Sequence, residues 1–275
     1  MKKLSAYAKI NLCLSVTGQA DGFHNLDMLV ASIDLADEIT LVQSDCEPRV
    51  EFLDGEVPCG FVPEESNALR AVRGMAELCG RKGAHVRVVK NIPDRCGLGG
   101  SSAEAAGIVR LLCKEWGKDC DSAEVRALCA TLGSDVTAML TTGWKRVRGR
   151  GEQVERIPVA LSPYVVLVSH GEASTKDVFT AYDLAPVTTD ITEKVSTLQS
   201  GKLPQPHNDL TQAACNVAPC VAKTLDALSR LDVPYGMTGS GACCFAIAKS
   251  EGEAFRIALA VKPDASFFKV ARVVG

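Results

Sequence analysis

One stretch limits what this chain can fold into more than any other: Lys90-Asn91-Ile92-Pro93-Asp94-Arg95-Cys96-Gly97-Leu98-Gly99-Gly100-Ser101-Ser102, continuing through Ala103-Glu104-Ala105-Ala106 to Leu112. A β-rich run, His85 to Val89, leads in, and a run of small residues with helical character leads out. Three glycines in four positions let the backbone turn its N–H groups toward a ligand with no Cβ in the way. The N-terminal dipole of the helix that follows adds partial positive charge at the same place. That combination suits a phosphate. The pattern is neither G-x-G-x-x-G nor G-x-x-x-x-G-K-[ST], so it lacks the defining residues of Rossmann and Walker sites. Ser101 and Glu104 have the spacing of a capping box, so a purely structural role stays open for those two.

At 275 residues the chain exceeds the roughly 250 at which single cores stop growing, and two domains are expected, residues 1–155 and 156–275. A net charge of −3 gives no general pull toward nucleic acid or an anionic membrane. The apolar stretch behind Lys2 and Lys3 is broken by Lys9 and Asn11 before it reaches signal-peptide length, and no apolar run nears the roughly 20 residues of a membrane span. The reading is a soluble cytoplasmic chain with neither kind of partner. Twelve cysteines include no C-x-x-C pair, and Cys13, Cys113, Cys129 and Cys244 sit among apolar residues, so buried free thiols and no metal site are expected. Cys96, ahead of a helix N-terminus, is expected to have a lowered pKa and to be sensitive to oxidation.

In chain order, Ala6 to Ser15 alternates as a strand, with Lys9, Asn11 and Cys13 on one face and Ile10, Leu12 and Leu14 on the other. The first face reads either as a site or as a solvated outer surface. Asp21-Gly22-Phe23-His24 is a turn, and Leu26 to Val42 suggests further strands. Glu64-Glu65-Ser66-Asn67 precedes a helix over Ala68 to Cys79, with Ser66 or Asn67 as its cap. A helix over Ser122 to Leu132 ends at Gly133, which makes Asp135 the start of a new segment, either a surface turn or something more. Arg146, Arg148 and Arg150 alternate, so a strand there would put three guanidinium groups on one face, solvated or set for a polyphosphate. Tyr164 to Ser169 reads as a buried strand and Ser174-Thr175 opens a helix through Phe179 to Tyr182; Asp183 to Gln205 is the best candidate for a mobile loop. Asn208-Asp209-Leu210 opens helices ending near Leu231, and Thr238-Gly239-Ser240-Gly241 turns into a strand over Ala242 to Ala248. A helix over Glu251 to Ala260 and a strand over Phe267 to Val274 close the chain. Interleaved strands and helices without a regular βαβ cadence favour an α+β fold.

These pieces, in this order, resemble the GHMP family of small-molecule kinases over nearly the whole chain. Ala8-Lys9-Ile10-Asn11-Leu12 with Asp21 to His24 resembles the branch whose acceptor is a cytidine diphosphate-linked methylerythritol in non-mevalonate isoprenoid precursor synthesis. Asn67 falls at the family's adenine side, Lys90, Pro93 and Gly97 to Ala106 at its ATP-phosphate loop (residues 93–106), and Leu132 to Val136 at the segment of its catalytic aspartate. Gly149 to Glu152, Ser174-Thr175 with Phe179, Asn208 to Leu210 and Gly239 to Gly241 resemble its later landmarks. The resemblance implies a two-domain fold with the active site in the cleft between domains, Mg²⁺ and ATP as cofactors, and a monomer or weak homodimer. It implies Asp135 as general base on the substrate 2-hydroxyl with Lys9 beside it. Asn67, Lys90, Pro93, Gly97, Leu98, Gly99, Gly100, Ser101 and Ser102 would then hold ATP. Asn11, Phe23, His24, Arg150 and Phe179 would hold the acceptor, with the base against the two phenylalanines and read by His24. Three positions depart from the family pattern: Phe23 replaces a usual tyrosine, Ser101 a glycine, and Glu104 an aspartate or asparagine. The alternating arginines suggest Arg148 or Arg150 for the acceptor's diphosphate. Competing readings are a kinase for homoserine or a mevalonate-like alcohol, a non-catalytic nucleotide-binding relative, and a metal or redox protein built on the cysteines.

Overall fold

The structure is a computed structural model that describes residues 2–20, 22–54, 57–58 and 66–275. Asp21, Glu64, Glu65 and Cys59 lie outside the described residues. The chain forms two compact units, and neither is a continuous stretch. The first takes Met1–Ala8, Leu35–Ile92 and Gly99–Thr141; the second takes Lys9–Asp34, Pro93–Leu98 and Thr142–Gly275. This partition by contacts differs in kind from a single cut at 155/156, because strands β1 (Lys2–Ala20) and β2 (Phe23–Ser44) each contribute residues to both units. The further strands expected over Leu26 to Val42 are one continuous strand.

In the first unit, β3 (Arg49–Asp54) pairs with β4 (Val57–Pro58), then α1 (Asn67–Cys79) leads to β5 (Ala84–Lys90). β5 lies between the end of β2, antiparallel, and β3, parallel. Helices α2 (Gly100–Trp116), α3 (Ala123–Leu132) and the single turn α4 (Val136–Met139) complete the unit. Alternation in β5 buries Ala84, Val86 and Val88 while His85 and Arg87 turn outward to Glu51. The small residues after the glycine loop have a packing reason. A Cβ at Gly107 would sit 2.4 Å from Ile39 and 2.9 Å from Ala6, so α2 lies closer to the sheet than any larger residue permits. Ile108, Leu111 and Leu112 are buried on the same helix, each worth about 1.5–3 kcal/mol.

In the second unit, β6 (Trp144–Gly149) is antiparallel to the first part of β2 and to β7 (Gln153–Ile157). β8 (Tyr164–Ser169), α5 (Thr175–Asp183), α6 (Thr192–Gln199), β9 (His207–Asn208), α7 (Thr211–Val217) and α8 (Pro219–Ser229) follow. β10 (Tyr235–Met237), β11 (Cys244–Ala248), α9 (Glu251–Val261) and β12 (Phe267–Arg272) end the chain. Four of these strands form an antiparallel sheet in the order β10-β11-β8-β12, and β9 runs parallel to β1 at Cys13 and Leu14. The segment from Asp183 to Gln205 is not a bare loop: α6 occupies its middle, with Val195 and Leu198 buried at helical spacing. Arg150 lies beyond the end of β6, so the strand carries two of the three alternating arginines.

Candidate active site

In the first unit, the glycine loop delivers a helix start that is half-buried at Gly99 and Gly100 and exposed at Ser101. Gly99 is the N-cap of α2 with φ +76°, and no side chain caps the helix. The first N–H groups of a helix have no partner inside it, so this end presents donors and positive dipole to an anion. The capping box is therefore not formed. Ser101 is already inside the helix and exposed, and Glu104 instead accepts a hydrogen bond from Lys90 Nζ at 2.8 Å. Lys90 also lies 5.5 Å from the Phe52 ring centroid.

Asn67 opens α1 behind a cap by Ser66, whose Oγ accepts the Leu69 N–H at 3.2 Å. The amide of Asn67 is held by Arg70, which donates to its Oδ1 at 3.1 Å and to the Thr131 carbonyl at 2.6 Å. Gly133 brings three predicted features together: a Cβ there would meet Asn67 Nδ2 and Ser102 Oγ, each at 3.5 Å. Asp135 is half-buried as the N-cap of α4 and so is not a solvated turn aspartate.

In the second unit, the β1 face carrying Lys9, Asn11 and Cys13 is no solvated outer surface. Lys9 is 4% exposed and Asn11 1% exposed. The Lys9 ammonium donates to Asn11 Oδ1 at 2.6 Å, and that oxygen also accepts the Gly239 N–H at 3.0 Å. The Asn11 backbone N–H donates to Thr238 Oγ1 at 3.0 Å, while Asn11 Nδ2 points to Met28 Sδ at 3.1 Å. The Lys9 backbone N–H donates to the Leu98 carbonyl at 3.0 Å, which ties the strand to the glycine loop.

That loop is in turn packed on the second glycine turn. Thr238 Oγ1 donates to the Gly97 carbonyl at 3.2 Å, and Asn208 Nδ2 donates to the carbonyls of Met237 and Gly239 at 3.0 and 2.8 Å. Gly97 has φ +70°, and a Cβ there would fall 2.2 Å from the Thr238 oxygen. Pro93 is half-buried at the start of this segment and Leu98 is fully buried. Thr238 and Asn208 were not singled out from the sequence as site residues. The Thr-Gly-Ser-Gly and Asn-Asp-Leu motifs around them were the available signal.

A separate cluster in the same unit gathers the aromatic residues. His24 stacks on Phe179 with centroids 4.6 Å apart and meets Tyr182 edge-on at 6.0 Å. Its Nε2 lies 2.7 Å from Asp183 Oδ1. Phe23 is 61% exposed, with the Arg150 guanidinium 4.7 Å over its ring. Arg146 is taken up by a two-pronged pairing with Asp27, at 2.9 and 2.7 Å, whereas Arg148 and Arg150 are exposed. Tyr182 and Asp183 join the cluster from the end of α5, one turn beyond Phe179.

Cys96 departs from its expected chemistry. It is 5% exposed and three residues short of the α2 N-cap, and burial first, then Glu172 and Asp94, pushes its thiol up to about 11. It is not an activated thiol. The eleven described cysteines are all unbridged, and no cluster of metal-binding side chains occurs among the described residues.

The GHMP kinases N terminal domain model matches residues 66–143, and the GHMP kinases C terminal model matches residues 209–265. A 4-diphosphocytidyl-2-C-methyl-D-erythritol kinase of Anaplasma marginale is 36% identical over 263 residues, covering 92% of this chain and 89% of the relative. The enzyme of that name from Ruegeria pomeroyi is 38% identical over 256 residues, covering 90% and 88%. A crystal structure of 4-(cytidine 5'-diphospho)-2C-methyl-D-erythritol kinase superposes with a TM-score of 0.80 at 27% identity, over 100% of both chains. With the opening strand, the glycine loop and both domain matches in agreement, this chain belongs to the GHMP kinases, in the family of the 4-diphosphocytidyl-2-C-methyl-D-erythritol kinases.

Proposed function

We propose that the chain transfers the γ-phosphoryl group of ATP to the 2-hydroxyl of 4-diphosphocytidyl-2-C-methyl-D-erythritol. The observation that carries this reading is the buried Lys9, held by Asn11 and tied by its own backbone to the glycine loop at Leu98. A buried ammonium beside a phosphate-binding loop is suited to charge that builds up on a transferring phosphoryl group. Asp135 accepts the hydroxyl proton as the oxygen attacks. Gly97 to Ser102 with Pro93 and Lys90 hold the nucleotide phosphates, and Asn67 holds the adenine side. The uncapped start of α2 fits this role.

Mg²⁺ neutralises phosphate charge when bound. Asn11 orients the acceptor, and the cytosine lies against Phe23 and Phe179 with His24 reading its edge. Arg148 or Arg150, both exposed, faces the diphosphate. The unbridged cysteines fit a reducing compartment, and we place the reaction in the cytoplasm.

The test is ATP consumption with Mg²⁺ and the cytidine substrate, run beside homoserine and mevalonate, with Asp135→Asn as the paired control. Turnover confined to the cytidine substrate, and reduced about 10²–10⁴-fold in the variant, supports both the acceptor and the base. Turnover with homoserine or mevalonate instead reassigns the acceptor pocket.

A further inference from the structure

We propose that Asp209, the residue after β9, is a positioning residue of the acceptor pocket: it moors a strap, residues 184–189, that holds Tyr182 and Asp183 of α5 against His24. The proposal rests on reading His24 and Phe179 as the site of the acceptor's base. The Asp209 side chain is 0% exposed. Its Oδ2 accepts two backbone hydrogen bonds, from Val16 of β1 at 2.9 Å and from Thr189 of the strap at 3.2 Å. Its Oδ1 lies 2.6 Å from His207 Nε2, and its own N–H donates to the Leu14 carbonyl at 3.0 Å. A buried carboxylate has to be supplied with donors, and these come from three separate segments: β1, the strap and β9. Asp209 is the point where they meet.

Apolar packing does little to place the strap. Every residue from Leu184 to Thr188 is exposed, Leu184 and Val187 at 85% and 58%. Polar ties therefore set the course of its backbone. Besides the bond from Thr189 to Asp209, Thr188 Oγ1 donates to the Val16 carbonyl at 2.8 Å, and the Tyr182 hydroxyl donates to the Val187 carbonyl at 2.6 Å. Asp209 and Thr188 thus take both backbone groups of Val16, its N–H and its C=O. The tie through Tyr182 leads to the pocket. Tyr182 is buried, its ring meets His24 edge-on at 6.0 Å, and the neighbouring Asp183 Oδ1 lies 2.7 Å from His24 Nε2. A strap that drifts from Val16 pulls on the Tyr182 hydroxyl, and with it on the wall against which the imidazole is set.

Asp209→Ala removes the Val16 and Thr189 ties together and is expected to raise the KM for the cytidine substrate about tenfold, with the ATP KM unchanged. Asp209→Asn keeps an oxygen for both N–H groups and is expected to stay within about twofold of the parent. Should Asp209→Ala fail to fold, the double variant Tyr182→Phe with Thr188→Val, which removes two hydroxyls at nearly constant volume, is expected to give the same tenfold rise. Hydrogen exchange over residues 184–190 adds a reading that needs no turnover: slow in the parent with or without the cytidine substrate, and at least about tenfold faster in the Asp209→Ala and double variants. An unchanged acceptor KM in variants whose strap exchanges faster overturns the proposal. So do an ATP KM that rises in step, equal damage from the Asn and Ala variants, and a parent strap protected only when substrate is bound. Parent protein that binds ATP and turns over none of the cytidine substrate defeats the acceptor reading, and the role of the strap falls with it; turnover with indifferent variants defeats the strap alone.

Discussion

Gly97 and Gly117 have the same left-handed backbone angle, φ +70°, and differ in what a methyl group would meet. At Gly117, the C-cap of α2, an added Cβ has nothing within 4 Å. At Gly97 it would lie 2.2 Å from the Thr238 carbonyl oxygen and 3.1 Å from that of Gly241. Gly117→Ala therefore carries only the left-handed penalty of about 1–2 kcal/mol, offset in part by the stiffer unfolded chain, about 0.4–1 kcal/mol. Gly97→Ala carries the same penalty plus overpacking, about 1–3 kcal/mol, because the contacted atoms are backbone and cannot rotate aside. At about 2–4 °C per kcal/mol, Gly97→Ala should melt at least about 2 °C below Gly117→Ala. Activity should separate them further. Thr238 accepts the Asn11 N–H, and Asn11 holds the Lys9 ammonium, so a shifted Thr238 disturbs the lysine. Scanning calorimetry and kinase assays on the two variants give the comparison. Equal melting temperatures, or an undiminished kcat in Gly97→Ala, would refute the claim that the two glycine turns are packed too closely to admit a methyl group.

Asp183→Asn should raise the KM for the cytidine substrate about tenfold with kcat unchanged, because it weakens the 2.7 Å bond that orients His24; steady-state kinetics with saturating ATP checks this. Loss of Arg150, as Arg150→Ala, should raise the same KM and expose Phe23 further, whereas an unchanged KM in both Arg148→Ala and Arg150→Ala excludes an arginine contact to the diphosphate. Cys96 should resist alkylation at pH 8. With its pKa raised from 9.0 to about 11, only about one thiol in a thousand is ionised there, and reactivity should grow as pH rises toward 11. Peptide mapping after timed iodoacetamide treatment, native against denatured, gives the labelling rate, which follows the thiolate.

The parts of this fold that are plain in the sequence are those decided by local chemistry. Tyr164 to Ser169 is a run of β-branched and apolar residues buried in the middle of a sheet, and its limits match the strand. Ser66, Ser122, Ser174 and Ser250 each cap a helix by accepting an N–H three residues on, a signal confined to four positions. The site is less legible because its decisive partners are remote. Asn11 reads as a polar residue on a strand until Thr238 and Gly239, 227 and 228 positions away, bring it the bonds that bury it. Ser101 and Glu104 illustrate the opposite failure. Their spacing fits a local cap, but the glycine in the left-handed conformation at position 99 starts the helix earlier and Lys90 recruits the glutamate. In the stretch after Asp183, polar composition conceals α6, because two buried apolar side chains are enough to hold a helix of eight residues.

The shared strands β1 and β2 bear on how such a protein could be taken apart or recombined. A fragment beginning near residue 142 lacks the first part of β2, against which β6 pairs from Leu26 to Ala31, and lacks Asn11 beneath Thr238. A fragment ending near residue 141 keeps β1 and β2 whole, but leaves Lys9 to Asp34 without the neighbours contributed by Trp144 to Gly149. Neither half is a transferable module. Insertions that leave both strands intact are tolerable only in the connecting turns, and a gene split at the midpoint should yield two insoluble products that regain solubility only when made together.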